Sequence, residues 1–436
     1  MCASQVVVVK GKRKCGQIGL RIRIANCLIR DPEMTTDALY RAIGMSVYEP
    51  LECWRKGGTF FLRMEAPATC YRCPKCGSRD VTRRGLVDRK VHAPPIGMDQ
   101  TMLFIKSPRL ECKSCDQVLN AVLPNVEPHC QYTKSFARLA IDLRKMMTIS
   151  DVSRYLGVSD SMIRGIDKRY LQKQFGKPRL RDLKVIAIDE IYVGRRQKFL
   201  TIVIDWETGA IVFVGKGKGT DALKPFWKRL RSSRAKIEAV ATDMSSAYFS
   251  AAMTNLPKAK HVFDRFHIVK LMNEKLTELR RTLQNEAEGM GKKIFKGLRW
   301  LLLKNWDNLD ESKNERTRLE EALALNRSLS IAYYLKDDLS QIWGQVDKVT
   351  ARRFLIDWCK RADASGIKVL KTVAKTLQAY REGILNWYDY SISSGPIEGI
   401  NNKIGALQRT AYGYRDLDYF TCKLYALHAA KFALIG

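Results

Sequence analysis

The stretch Ser393-Ser394-Gly395-Pro396-Ile397-Glu398-Gly399-Ile400-Asn401-Asn402-Lys403 decides how this chain is read. It sets Glu398 in the first turn of a helix, behind a Gly-Pro start and ahead of an Asn-Asn-Lys polar face. Two further carboxylates close apolar, strand-like runs upstream. They are Asp189 in Val185-Ile186-Ala187-Ile188-Asp189-Glu190 and Asp243 in Ala239-Val240-Ala241-Thr242-Asp243. Two acids on strands and one on a helix are what a two-metal phosphoryl-transfer site needs. The net charge of +31 makes nucleic acid the phosphate expected there.

At 436 residues and 46% apolar content, the chain can bury a sizeable core in two to four domains. No run of 18 apolar residues exists, so no membrane span is expected. Val6–Val9 lacks the long apolar segment and cleavage site of a secretory signal, which points to the cytoplasm, on the nucleoid when DNA-bound. Twelve cysteines cluster rather than scatter. Cys73-x-x-Cys76 and Cys112-x-x-Cys115 read as two knuckles holding one structural zinc in a ribbon spanning 66–130. Cys70-x-x-Cys73 is a competing pair, and Pro74 and Gly77 favour the Cys73–Cys76 turn. Residues 1–33 are either native or an extension ahead of a start at Met34. A helix–strand segment is expected over 34–65.

Residues 133–178 carry a three-helix signature. Phe136, Leu139, Ala140 and Leu143 recur at helical spacing. Ser150 reads as the cap of a second helix with Val152, Tyr155 and Leu156. Gly157 makes a turn, and Ser159 caps a third helix whose Ile163, Ile166 and Tyr170 face inward. That is a helix-turn-helix layout. It leaves Ser161, Arg164 and Lys168 facing outward for the major groove. A plain helical connector is the rival reading.

Strand-like Lys184–Ile191 and Phe199–Asp205, the turn Glu207-Thr208-Gly209 and a return at Ala210–Val214 form a meander. A helix Ala222–Leu230, a strand Ile237–Thr242 and a helix from Ser245 follow. This order fits a mixed sheet flanked by helices, as in a ribonuclease H-like fold, over 183–267 and 386–436. Lys216-Gly217-Lys218-Gly219-Thr220 lacks the Gly-Lys-Ser/Thr ending and the strand-to-helix context of a phosphate loop, so it reads as a basic turn. Residues 268–385 are nearly all helical in pattern, with Leu335, Leu339, Ile342, Trp343 and Val346 on one stripe. Arg280-Arg281 and Arg352-Arg353 read as solvated.

These motifs, followed by Arg409-Thr-Ala-Tyr412-Gly413-Tyr414-Arg415, resemble the bacterial insertion-sequence transposases of the ISL-three family, from Met34 onward. The resemblance implies that Asp189, Asp243 and Glu398 are a DDE triad holding two magnesium or manganese ions. It also implies that the helical stretch is the family's insertion. DNA contacts are then expected from Asn401, Asn402, Lys403 and Arg409, although Gly405 and Gln408 stand where the family pattern has Lys. Asp264 and His267, in Phe-Asp-Arg-Phe-His, are similar to a motif of Mutator-type transposases. They serve either as support behind the triad or as a flanking-DNA contact.

The residues also speak for themselves. Asp189 and Asp243 are 54 residues apart, enough for the meander, a helix and a return strand. Asp243 and Glu398 are 155 apart, which requires an intervening subdomain. Asp205 is the rival carboxylate, at a position suited to a turn. Glu190 must face away from Asp189, because strand side chains alternate. The activity that the resemblance implies is cleavage of double-stranded DNA at terminal inverted repeats and strand transfer to a target, by a homodimer. The alternatives are a DNA-binding regulator without catalysis and a metal-dependent nuclease without strand transfer.

Overall fold

The computed structural model describes residues 39–194, 198–392 and 394–429. The expectations for residues 1–33 and for a helix start after Met34 lie outside them. The chain forms two compact units, Met1–Arg138 and Leu139–Gly436.

In the first unit, β1 (Glu49–Lys56), β2 (Thr59–Glu65), β3 (Val81–Ile96), β4 (Asp99–Cys112) and β5 (Gln117–Asn120) make one sheet. Its order is β1-β2-β4-β3, with β5 on β4. The alternation of Leu62 and Met64 with Phe61 and Arg63 gives β2 a buried face and a half-exposed one. Leu62, Met64, Val91, Leu103 and Ile105 pack beneath Tyr40, Ile43, Met45 and Tyr48. Trp54, Phe61 and Phe104 stack on the other face, with centroids 5.3–6.1 Å apart. The segment before residue 66 therefore shares a sheet and a core with the cysteine hairpin. Its boundary was drawn where composition changes, but β2 pairs in register with β4.

Helix α1 (Lys134–Leu143) leads to α2 (Ile149–Leu156) and α3 (Asp160–Phe175), which form the helix-turn-helix. The cap of α2 is Thr148, whose hydroxyl accepts the Asp151 N–H, and not Ser150. Gly157 turns the chain at φ +63°, and Ser159 caps α3 through the Met162 N–H. Tyr155 points outward instead of inward, at 59% exposure.

The second sheet holds β6 (Val185–Gly194), β7 (Lys198–Asp205), β8 (Ile211–Lys216), β9 (Ala239–Thr242) and β10 (Lys260–Phe263), in the order β10-β9-β6-β7-β8. The first three strands are antiparallel; β9 and β10 join β6 in parallel. Helices α4 (Thr220–Ser233) and α5 (Ser246–Asn255) bury Phe226, Trp227 and Tyr248 against Ile186, Ile188 and Val240. The turn 216–220 does join a strand to a helix, contrary to the sequence reading. Its Gly219 N–H is bound to the Tyr248 hydroxyl at 2.9 Å.

Residues 265–385 run through α6 (Arg265–Glu286), α7 (Gly289–Gly297), α8 (Glu315–Leu325), α9 (Arg327–Leu339), α10 (Lys348–Ala364), α11 (Lys368–Ala379) and α12 (Arg381–Leu385). Their stripes close around Trp358, whose indole donates to the Leu335 carbonyl at 2.8 Å. Val346 leaves the stripe, at 94% exposure, because the helix has already ended before it. Arg280 turns inward and donates to the Phe295 carbonyl at 3.0 Å. The helical body meets the sheet edge at Gly383, where a Cβ would stand 2.5 Å from the Phe263 ring. The chain then returns through α13 (Ser394–Thr410) and α14 (Leu417–Ala426). Ile397, Ile400, Ile404 and Leu407 of α13 face Ala187, Ile202 and Ala241. Burying each is worth about 1.5–3 kcal/mol, which fixes this helix across the acid-bearing face.

Candidate active site and metal centre

Strand register brings the first two acids together. Ala187 pairs with Ala241 in parallel, so Asp189 and Asp243 follow two residues later on the same face. Phe263 pairs with Thr242, which sets Asp264 beside Asp243 at the end of the next strand. That face is the one α13 covers.

Each carboxylate is oriented by an N–H donor close in sequence. Asp189 Oδ1 accepts the Glu190 N–H at 2.7 Å, and its Oδ2 accepts from Asn401 Nδ2 at 2.7 Å. Asp243 Oδ1 accepts the Ser245 N–H at 3.0 Å. Asp264, 4% exposed, caps α6 by accepting the Phe266 N–H at 3.0 Å. Burial raises its carboxyl above the ordinary range; the Phe266 N–H and His267 oppose this, and the Asp189 charge adds to it. His267 Nε2 lies 3.9 Å from Asp264 Oδ2.

Because α13 begins at Ser394, Glu398 is its fifth residue and lies in the second turn, not the first. It is exposed, on the same side as Asn401 three residues on. Asn401 Oδ1 is buried and has no hydrogen-bond partner. Asn402, Lys403 and Arg409 are exposed, and Gln408 donates to the Tyr192 carbonyl at 3.1 Å. Asp205 lies opposite Ile186, toward the other end of β6, and holds the hairpin turn through Glu207 N and Thr208 Oγ1. Glu190 points to the far face and accepts from the Tyr248 hydroxyl at 2.6 Å.

On α3, the second helix of the helix-turn-helix, Ser161 and Arg164 are exposed. Lys168 is instead engaged by Asp416, at 2.8 Å. The reason lies one residue earlier. Asp167 is fully buried, accepts from the Tyr419 hydroxyl at 2.6 Å, and lies 3.1 Å from Lys423 Nζ and 3.4 Å from Arg144 Nε. This cluster docks α3 on α14, so Tyr170 packs toward α14 too. Sequence reading missed it, although a signal was present: Asp167 falls four residues after Ile163, on the apolar side of α3.

Among the described residues, one group of three or more metal-ligating side chains converges within 4.8 Å, and it is Cys73, Cys76, Cys112 and Cys115. Cys73 and Cys115 Sγ are 3.5 Å apart, as are Cys76 and Cys112. Thiolates about 2.3 Å from one zinc ion span distances of this size. Gly77, at φ +75°, shapes the first knuckle by donating to the Cys73 carbonyl. Cys70 lies in the neighbouring apolar core, which decides against the Cys70–Cys73 pair. Backbone N–H groups hold the Cys73 thiol low, while desolvation pushes Cys115 up. Cys112→Ser should lower bound zinc well below one equivalent and unfold the hairpin locally while the second unit still melts cooperatively. A full equivalent of tightly held zinc in that variant would remove the assignment.

A zinc ribbon, a helix-turn-helix and a mixed sheet with aligned acids define a protein built to handle DNA. The chain belongs to the ISL3 transposase family. Residues 186–424 match the family's transposase model, 71–115 its zinc finger of transposase IS204/IS1001/IS1096/IS1165, and 122–171 its helix-turn-helix domain. It is 30% identical to the transposase for insertion sequence element IS1001 of Bordetella parapertussis, over 85% of this chain and 92% of that one. It is 25% identical to the transposase for insertion sequence element IS1557 of Mycobacterium tuberculosis, over 80% of this chain and 83% of that one. A solved chain from the Drosophila P element transposase strand transfer complex aligns with a TM-score of 0.36 at 10% identity, covering 71% of this chain and 95% of that one.

Proposed function

We propose that the protein cuts double-stranded DNA at the terminal inverted repeats of an insertion sequence and joins the freed ends to a target, with Asp189, Asp243 and Glu398 as one carboxylate set. The observation that carries this reading is the register of β6 and β9, which puts two acids on the face crossed by the helix of the third. A sheet of three antiparallel and two parallel strands, in the order β10-β9-β6-β7-β8, supports a ribonuclease H-like core over 183–267 and 386–436. The helices of 268–385 are then its insertion, preceded by the ribbon at 66–130 and the helix-turn-helix at 133–178.

Hard oxygen donors beside a buried amide oxygen without a partner suit magnesium or manganese more than a soft metal. Asp189, Asp243 and Glu398 would hold such ions, which would supply an activated water and charge stabilisation for the departing oxygen. The protein's own part is positioning. Glu190 N–H and Asn401 clamp Asp189, Ser245 N–H clamps Asp243, and exposed Glu398 stays open to the incoming phosphodiester. The freed 3′-hydroxyl attacks the target strand in line at the same acids, and no covalent protein–DNA intermediate is needed. Asp264, just past the end of β10, and His267, in the first turn of α6, support the set. Ser161 and Arg164 read the repeat, while Asn402, Lys403 and Arg409 meet phosphates. Lys168, through Asp416, holds the reading helix to the core. Two ends must be joined, so the working unit is a homodimer in the cytoplasm.

The test is a repeat-containing duplex and a pre-cut end, each incubated with protein and magnesium, with and without chelator. Metal-dependent nicking and joining are expected, and Asp205→Asn should retain most of both. Cutting without joining would make the protein a nuclease; binding with neither would make it a regulator.

A further inference from the structure

We infer that Tyr412 stacks on a nucleobase of the bound DNA end, held as a rigid wedge between the DNA-reading helix and the helix carrying Glu398. The inference rests on the reading that this chain binds DNA ends.

Helix α13 ends in a Schellman closure. The Gly413 N–H reaches back to the Gln408 carbonyl at 2.9 Å, and the Tyr412 N–H to the Arg409 carbonyl at 3.1 Å. That closure forces residue 412 into the left-handed region, at φ +50°. Glycine is the usual occupant of this place. Here the glycine comes one residue later, at φ +89°, and a bulky ring takes the strained position. The ring gains no packing in return, since Tyr412 is 100% exposed. Neither backbone fit nor burial accounts for a tyrosine here, and unexplained strain of this kind collects at functional positions.

The turn is anchored on its far side. Tyr414 stacks on Phe420 with centroids 4.7 Å apart, and Asp416 both caps α14 and pairs with Lys168 of α3. The ring is thus presented with little freedom to lose on binding. Its sequence neighbours select the partner. Arg409, Thr410 and Arg415 are exposed and polar or cationic, a setting that fits a base flanked by phosphates better than an apolar protein surface. Beside the turn lies a cleft of about 230 Å³ between Tyr192, Gln408, Gly413, Tyr414 and Phe420, with room for one planar ring. Position completes the case. Thr410 is twelve residues beyond Glu398 on one helix, about 18 Å at 1.5 Å per residue. DNA held by α3 and cut at the acids passes this corner a few base pairs from the break.

Glycine at 412 separates a structural role from a contact role. Tyr412→Gly relieves the backbone, so its melting temperature should equal or exceed that of the wild type. Binding to a repeat-containing duplex should nonetheless weaken by roughly 5- to 150-fold, the range of one lost base–aromatic stack. A fluorescent adenine analogue, walked through the duplex, should respond to the wild type at one or two adjacent positions and not to Tyr412→Gly. Tyr412→Phe and Tyr412→Trp should keep both affinity and response. Wild-type affinity in Tyr412→Gly would overturn the inference. So would equal loss in Tyr412→Phe, which would assign the effect to the hydroxyl, or a changed sedimentation coefficient of the DNA-free Tyr412→Gly protein, which would mark a protein contact. A wild type that binds with the analogue response but never nicks would sink the catalytic reading and leave this one standing; a wild type that does not bind the duplex sinks both.

Discussion

Asp189→Asn should leave the protein folded and bound to its DNA end but unable to cut it. The amide keeps the shape of the side chain, and its oxygen still accepts from Asn401 or Glu190, so the local geometry survives. What goes is the negative charge that the proposed mechanism assigns to holding a divalent ion. Deleting a single preorganised charge-stabilising group lowers catalytic rates by as much as about 10³-fold. Losing a metal ligand should cost at least that, and nicking should fall below detection. Asp243→Asn and Glu398→Gln should behave alike if, as proposed, the three act as one unit. End binding should persist, since phosphate contacts dominate affinity. Nicking and joining by each purified variant, next to a binding isotherm, measure both halves. Wild-type cleavage by Glu398→Gln, or an inert Asp205→Asn beside an active Asp189→Asn, would dismantle the triad.

The second large effect is structural. Asp167 lies among Arg144, Lys423 and the Tyr419 hydroxyl, and both members of its pair with Lys423 are fully buried. Burial depresses the Lys423 ammonium and Asp167 opposes that shift. Asp167→Ala would take the negative charge out of a low-dielectric site that holds Lys423 and Arg144. Breaking a buried pair in this way costs about 3–5 kcal/mol. For a unit of this size that corresponds to a fall in melting temperature on the order of 10 °C. Asp416→Ala, which removes the partly exposed partner of Lys168 and the cap of α14, should shift the melt less, by about 1–2 kcal/mol of lost stability. Thermal unfolding of the two variants decides it. An Asp167→Ala protein that melts with the wild type would mean the cluster rearranges without cost. A destabilised one that still binds DNA but cuts poorly would show that α3 and the core must stay docked.

What the sequence made legible was whatever repeats with a short period or needs a particular residue. The two knuckles, the Gly157 turn, the Ser159 cap and the meander from Val185 all announce themselves in that way. Asp205 and Glu190 could be set aside from turn chemistry and strand alternation alone, and their hydrogen bonds agree. The strand Lys260–Phe263 was not legible, because four residues of a parallel edge give no alternation to detect. Nor was the engagement of Lys168. Helical phase alone left it outward, and only the tertiary partner Asp416, 248 residues away, draws it in. The same limit applied to Asn401, whose polar type was plain but whose bond to Asp189 depends on how α13 crosses the sheet.

The third acid sits on α13, beyond the whole helical body, and the buried partners of Asp167 sit later still on α14. Translation at about 5–20 residues per second leaves roughly 8–30 s between the emergence of Asp243 and that of Glu398. Throughout that interval a nascent chain carries the ribbon and helix-turn-helix sequences and the first two acids, but not the third. Truncation before residue 394 makes the condition permanent. It yields a polypeptide with the DNA-reading helix, two acids and no Glu398, without the Tyr419 and Lys423 that hold that helix in place. The order of synthesis thus places Glu398 late: no chain that stops before residue 398 carries all three acids.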